Sequence, residues 1–208
     1  MAGELATTTP PAAPVLGGED AHGAVGVTNP KLGMWLFLAS DCLFFGAFIA
    51  TFLLYRGRVH AGPSPRDVFD IPFTSATSFI LLMSSLTMVL ALAAIQRGDH
   101  RRLRIWLVST ALFGATFLGG QIFEFTEFTR EGLKLDTNLF GSAFFVLTGL
   151  HGMHVAVGII WLLSMWGLSM QGLLPTSSAE RVEITGLYWH FVDVVWIVIF
   201  TLIYLMPQ

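Results

Sequence analysis

Charge is what this sequence has least of. Asp, Glu, Lys and Arg together make up 12% of its 208 residues, about half the roughly 25% typical of a soluble globular chain. Hydrophobic residues make up 54%. Water would not tolerate so much exposed apolar area, so much of the surface must face lipid. The formal net charge of −3 is too small to point to nucleic acid or to a strongly acidic partner. A single cysteine, Cys42, excludes an internal disulfide and any metal site built on several thiolates. Set within an apolar run, it reads as a small buried thiol.

Residues 1 to about 30 are rich in Ala, Thr, Pro and Gly and carry the acids Glu4, Glu19 and Asp20. They hold no apolar core of the kind a secretory signal peptide needs. Such a composition cannot bury enough surface to offset its ordering entropy, so a disordered N-terminal tail is expected, with His22 incidental in it.

Five apolar stretches follow, near 33–55, 73–96, 103–128, 139–169 and 184–206. Each exceeds the roughly 20 residues a helix needs to cross about 30 Å of hydrocarbon. A spanning segment must satisfy its own backbone hydrogen bonds, so each stretch is expected to be a helix. The fold class is therefore an all-α membrane protein. Residues 31–208 form a bundle of five transmembrane helices, with little chain left for a soluble domain. The fourth stretch is the longest and is expected to tilt or to extend beyond the bilayer.

Turn residues mark the connections: Gly62-Pro63-Ser64-Pro65 in the first, Arg97-Gly98-Asp99 in the second, Gly172 to Pro175 in the fourth. The second connection is the most basic, with Arg97, Arg101, Arg102 and Arg104 in eight positions. The positive-inside rule places it in the cytoplasm, with the N-terminus inside and the C-terminus outside. Lys and Arg divide six to five between the two sides, so the orientation rests on this cluster. Small residues four apart suggest close helix contacts along Cys42, Gly46 and Ala50, along Ala111, Ala115 and Gly119, and along Thr148, Gly152 and Ala156.

A charge in hydrocarbon costs at least about 2.5 kcal/mol on insertion scales, so each ionisable group inside a span calls for a reason. Asp41 lies in the first stretch, Gln121, Glu124 and Glu127 in the third, His151 and His154 in the fourth, His190 and Asp193 in the fifth. Gln121/Glu124, His151/His154 and His190/Asp193 are each three residues apart, so each pair shares one helix face. The simplest picture is a polar network in which these faces converge and hold the helices together.

Two sharper readings compete with it. Three histidines can ligate haem or another metal, although one i, i+3 pair cannot reach both faces of a haem and His190 would have to supply the second ligand. No apolar stretch carries the Glu-x-x-His pair of a di-iron site. Alternatively, Asp41, Glu124 and Asp193 form a proton or ion pathway. No basic residue lies near Asp41 in sequence, so it is either a proton-exchange site or a helix-helix hydrogen bond. A secondary transporter would need a paired inverted repeat with broken helices, and none is visible.

These polar residues lie in longer strings. Residues 141–155, GSAFFVLTGLHGMHV, closely resemble the signature of one helix of haem-copper respiratory oxidase subunit III. Residues 188–196, YWHFVDVVW, resemble its last-helix signature. Residues 33–45, GMWLFLASDCLFF, resemble the helix that carries the family's intramembrane carboxylate, and Gln121 to Glu124 after Gly120 resemble a fourth site. The resemblance runs in order from about Gly33 to Tyr204.

It implies an accessory subunit of a terminal oxidase that reduces oxygen to water and moves protons across the bacterial cytoplasmic membrane. The subunit would hold no catalytic residue, haem, copper or other metal itself; haem and copper belong to partner subunits. It would pack directly beside subunit I, with subunit II in the same complex, and a respiratory supercomplex is possible. It would enclose phospholipid in a cleft and ease oxygen delivery. The acid matching Asp41 is the one associated with carbodiimide reactivity and with sustaining proton uptake by the neighbouring subunit.

The chain resembles the short bacterial form, which lacks the first two of the seven helices of the mitochondrial type. Asp rather than Glu at position 41, and the loop from Gly62 to Phe73, resemble quinol oxidases. The strings in the last two stretches resemble cytochrome c oxidases, and on their greater length cytochrome c is the expected donor. The rival from another class is a haem-binding membrane anchor of an electron-transfer complex.

Overall fold

The structure is a computed structural model that describes residues 28–55, 70–130, 132 and 139–205. The expected tail, up to residue 27, and the Gly62–Pro65 turn lie outside the described residues. Five helices follow in chain order: α1 (Asn29–Tyr55), α2 (Ile71–Gln96), α3 (His100–Arg130), α4 (Leu139–Met170) and α5 (Ala179–Phe200). A wider π turn, Thr201–Leu205, continues α5. All five are long and apolar enough to cross a membrane. The chain is an all-α membrane protein.

Local chemistry sets the helix ends. At the start of α2, the Asp70 carboxylate accepts from the Phe73 amide at 3.1 Å, and Pro72 occupies the first turn, where its missing N–H costs nothing. Gly98 ends α2 at φ +74°, and the Asp99 amide reaches back to Ala94 O at 2.9 Å. Asp99 then caps α3 by accepting from the Arg102 amide at 3.0 Å. The α2–α3 turn is therefore as tight as an αα-hairpin allows, and it presses the two helices together along their length. A side chain at Gly98 would be forced into the left-handed region. Gly98→Val is expected to cost about 1–2 kcal/mol, and an unchanged thermal midpoint in detergent would show that the turn does not need glycine.

Helices α2, α3, α4 and α5 close a ring: α3 lies between α2 and α4, and α5 packs against both α2 and α4. Helix α1 sits outside the ring, on α4 and α5. Its buried residues, Leu38, Asp41, Phe45 and Phe52, form one stripe at helical spacing, while Trp35, Leu36, Leu43 and Leu54 face outward.

Trp189 and Trp196 of α5 occupy the centre of the ring. Each indole N–H reaches a serine on α2: Trp189 to Ser84 Oγ and Trp196 to Ser78 Oγ, both at 2.8 Å. The later tryptophan meets the earlier serine because α5 runs antiparallel to α2. Each serine in turn donates back to a carbonyl of its own helix, Ser84 to Leu81 and Ser78 to Thr74. Both indoles are therefore satisfied without water, as buried donors must be in hydrocarbon.

Among the described residues, only the Thr148–Gly152–Ala156 stripe lies at a contact throughout; of the second stripe, Ala111 alone is buried. Cys42, Gly46 and Ala50 face outward, as do Ala115 and Gly119, so Cys42 is an exposed thiol rather than a buried one. Cys42 follows Asp41 by 100° around α1, and the contact face belongs to Asp41. The close approaches use other glycines: Gly114 of α3 and Gly158 of α4 both lie against the Trp189 indole.

Candidate functional site

Asp41 of α1 is 8% exposed and faces α4, where His154 Nε2 lies 3.4 Å from its Oδ2. The other ring nitrogen, Nδ1, is 2.7 Å from Leu150 O, one turn earlier on α4. A carbonyl only accepts, so Nδ1 carries a hydrogen and the tautomer is fixed. A neutral imidazole then presents a bare lone pair at Nε2, which would face a carboxylate lone pair across the gap. Two bare acceptors repel, so the contact is attractive only with a proton on the acid or on Nε2. At 3.4 Å this is an ion-pair distance rather than a hydrogen bond, and Asp41 Oδ2 has no other hydrogen-bond partner among the described residues.

The surroundings of the pair are apolar and aromatic. Phe45, one turn beyond Asp41, meets the His154 ring edge-on with centroids 5.1 Å apart. Tyr188 of α5 donates to the His154 carbonyl at 2.9 Å, which ties α5 to the same turn of α4. A cavity of about 370 Å³ adjoins the pair, lined by His154, Tyr188 and Trp161 together with Met34, Phe37, Met153 and Val157. It lies between α1 and the α4–α5 seam.

The other expected site residues do not converge into one network. Gln121 of α3 donates from Nε2 to Thr148 O of α4 at 2.7 Å, and its Oε1 rests against Gly152 with no partner among the described residues. Glu124, one turn on, accepts instead from the Thr74 hydroxyl of α2. His151 is fully buried, stacked on Trp196 at 4.9 Å with Phe117 edge-on, and neither of its ring nitrogens has a hydrogen-bond partner among the described residues. His190 and Asp193 both bond Ser85 of α2: His190 Nδ1 lies 2.7 Å from Ser85 Oγ, and the Ser85 hydroxyl reaches Asp193 Oδ2. Glu127 pairs with Arg130 at the exposed end of α3.

The reason for the separation is geometric. Positions three apart differ by 60° around the axis and about 4.5 Å along it. For Gln121/Glu124 and His151/His154 that is enough for the two members to meet different helices, whereas His190 and Asp193 meet at Ser85. Among the described residues, His151, His154 and His190 share no hydrogen-bond partner. Among the described residues, no group of three or more His, Cys, Asp or Glu side chains is placed to hold a metal ion.

Reading the sequence for charged groups passes over the hydroxyls of α2. Thr74, Ser78, Ser84, Ser85 and Thr87 meet Glu124, Trp196, Trp189, the His190/Asp193 pair and Thr110 in turn. In the sequence they stand as two clusters of hydroxyl residues, at 74–78 and 84–87.

The family model described as cytochrome c oxidase subunit III matches residues 17–207. Cytochrome c oxidase subunit 3 of Bacillus sp. (strain PS3) is 38% identical over 203 residues, covering 98% of this chain and 96% of that one. Quinol oxidase subunit 3 of Bacillus spizizenii is 42% identical over 176 residues, covering 84% and 86%. Cytochrome bo(3) ubiquinol oxidase subunit 3 of Pseudomonas putida is 39% identical over 176 residues, covering 84% of each.

Proposed function

Because this chain belongs to the cytochrome c oxidase subunit III family, a multi-pass membrane component of an oxidoreductase complex, we propose that it is the accessory subunit of a cytochrome c-oxidising, proton-translocating terminal oxidase. The observation that carries the choice of donor is the cytochrome c oxidase subunit of the Bacillus strain, which matches 98% of this chain. The second reading, a quinol oxidase, is favoured by the higher identity of the quinol oxidase relative, 42% over 84% of the chain. The donor binds elsewhere in the complex under either reading.

In this role the chain packs directly on the catalytic subunit, within a complex that also holds subunit II, in the bacterial cytoplasmic membrane. Haem and copper belong to those partners. The basic α2–α3 turn, with Arg97, Arg101, Arg102 and Arg104, supports a cytoplasmic N-terminus and an outer C-terminus. The apolar cavity beside His154 suits phospholipid acyl chains, and the outward apolar face of α1 suits lipid or a partner helix. Asp41 with His154 is the functional pair, a one-proton site that supports proton uptake by the neighbouring subunit. Gln121, Glu124, His151, His190 and Asp193 hold the helices of the bundle together.

Gentle solubilisation of native membranes, affinity isolation of this chain and mass spectrometry of what accompanies it test the assignment. Recovery of a large many-helix haem-copper subunit with a copper-domain subunit is the expected result. A quinol-oxidase counterpart in place of the copper-domain subunit would move the donor to quinol. Recovery of the chain alone, or with a dehydrogenase, would overturn membership of an oxidase and bring the haem-anchor reading forward.

A further inference from the structure

One polar file in the bundle is independent of the Asp41–His154 pair. Glu183, Gly186, Leu187, His190 and Asp193 lie along one face of α5 at helical spacing. A cavity of about 180 Å³ lies on that face, lined by Glu183 and His190 and by the apolar Met88, Val89 and Leu92 of α2. Each water takes about 30 Å³ in the liquid, so the cavity has room for several. Glu183, at the rim, has a side chain 36% exposed and paired with Lys31 of α1. His190 lies seven residues further on, roughly 10 Å along the axis, and Asp193 another turn beyond, which brings the file to about half of the 30 Å hydrocarbon depth.

The bonding of the inner three groups is constrained by hydrogen count. Ser85 has one hydrogen and two partners, His190 Nδ1 and Asp193 Oδ2. In one arrangement Nδ1–H donates to the serine, the serine donates to a carboxylate, and Nε2 is left bare for the cavity that His190 lines. In the other, the acid donates to the serine, the serine donates to Nδ1, and Nε2 carries the hydrogen. The two states differ by one proton and by the shift of two others. Asp193 is 3% exposed, and its Oδ1 has no hydrogen-bond partner among the described residues.

We propose that His190, Ser85 and Asp193 form a proton relay that loads Asp193 from water in the cavity behind Glu183. An excess proton carried as hydronium by that water bonds to Nε2 as its O–H bond breaks, leaving neutral water. The Nδ1–H bond breaks as an Oγ–H bond forms, and the original Oγ–H bond breaks as an Oδ2–H bond forms. The imidazole ends neutral, the carboxylate ends as the acid, and one proton has been taken up; unloading is the reverse. Among the described residues, the charged groups that the cavity lining and its ion pair bring to the rim are Glu183 and Lys31. The three α2 residues that line the cavity offer no titratable group.

The test is infrared difference spectroscopy on the intact oxidase, reading the carboxylic acid C=O band that disappears in Asp193→Asn. After transfer to D2O the band is expected to shift rapidly in the wild type. Ser85→Ala should slow that shift on the order of a hundredfold, the usual loss when a positioned proton-transfer group is removed. Ser85→Thr, which restores a hydroxyl, should recover it. A role for Ser85 in packing alone would lower stability without changing the exchange rate. If Ser85→Ala does not assemble, Leu92→Trp fills the cavity while leaving all three groups in the chain, and by excluding water from His190 it should slow exchange in the same way. Exchange at the wild-type rate in the variant that assembles, or no band attributable to Asp193 at any pH the complex survives, overturns the relay.

Discussion

Replacing Gly158 with leucine is expected to prevent the bundle from closing. A Cβ at this position of α4 would lie 2.8 Å from Cε3 and Cζ3 of Trp189 and 3.2 Å from Cε1 of Tyr188. The indole cannot retreat. It is fully buried, its N–H is held by Ser84, and Gly114 of α3 lies against the adjoining edge of the same six-membered ring. Even Gly158→Ala should cost about 1–3 kcal/mol through overpacking, and the leucine variant more, since its remaining atoms have no space at all. Helix association in a membrane rests on packing rather than on the hydrophobic effect, so no opposing term compensates. Gly167 is the control, with open space where its Cβ would be. Gly167→Ala should be neutral or gain up to about 1 kcal/mol from helix propensity. Denaturation of the detergent-solubilised protein by SDS measures both variants. Equal midpoints for Gly158→Leu and Gly167→Ala would refute the tryptophan wedge.

The second large effect concerns turnover. Asp41→Ala should leave assembly intact, because Leu38, Phe45 and Phe52 still seat α1 on α4 and α5. Oxygen uptake is then expected to begin at the wild-type rate and to fall progressively as the enzyme turns over. Asp41 and His154 face each other at 3.4 Å, so if they share a proton the pair should act as a unit. His154→Leu should show the same decline, and the double variant should be no worse than either single one. Additive losses would mean that the two residues act separately. Steady uptake identical to wild type over many turnovers, in a complex with full subunit content, would leave Asp41 as a helix contact only. The measurement is an oxygen-electrode trace, with subunit content checked by mass spectrometry of the same preparation.

Much of the architecture could be read along the chain. The scarcity of charge required a membrane, and the five apolar stretches became α1 to α5, with α1, α2, α3 and α5 starting two to five residues before the apolar limits. Ala179 precedes the expected start of the last stretch by five residues, because Glu180, Arg181 and Glu183 form a polar first turn that an apolar window leaves out. The strings around Asp41, Gln121, His151 and His190 gave the family. They did not give the partners. His151 and His154 look alike in sequence and end in different places, one in an aromatic box with Trp196 and Phe117, the other against Asp41.

The hydroxyls of α2 show why. Serine and threonine in a helix can satisfy themselves on the carbonyl three or four residues back, as Thr185 does on Arg181 and Ser164 on Ile160. A serine in an apolar run therefore announces nothing about what lies across from it. Ser85 differs only because the antiparallel register of α2 and α5 sets it beside His190 and Asp193.

The sequence by itself thus determined the solvent, the class of fold, the number of spans and the inventory of polar groups, because hydrocarbon imposes length and backbone bonding on any chain that crosses it. Only the tertiary structure decided which polar groups meet, that Cys42 faces outward, and that two glycines enclose Trp189. Those outcomes depend on how each helix is turned about its own axis against its neighbours, which no spacing along one chain specifies.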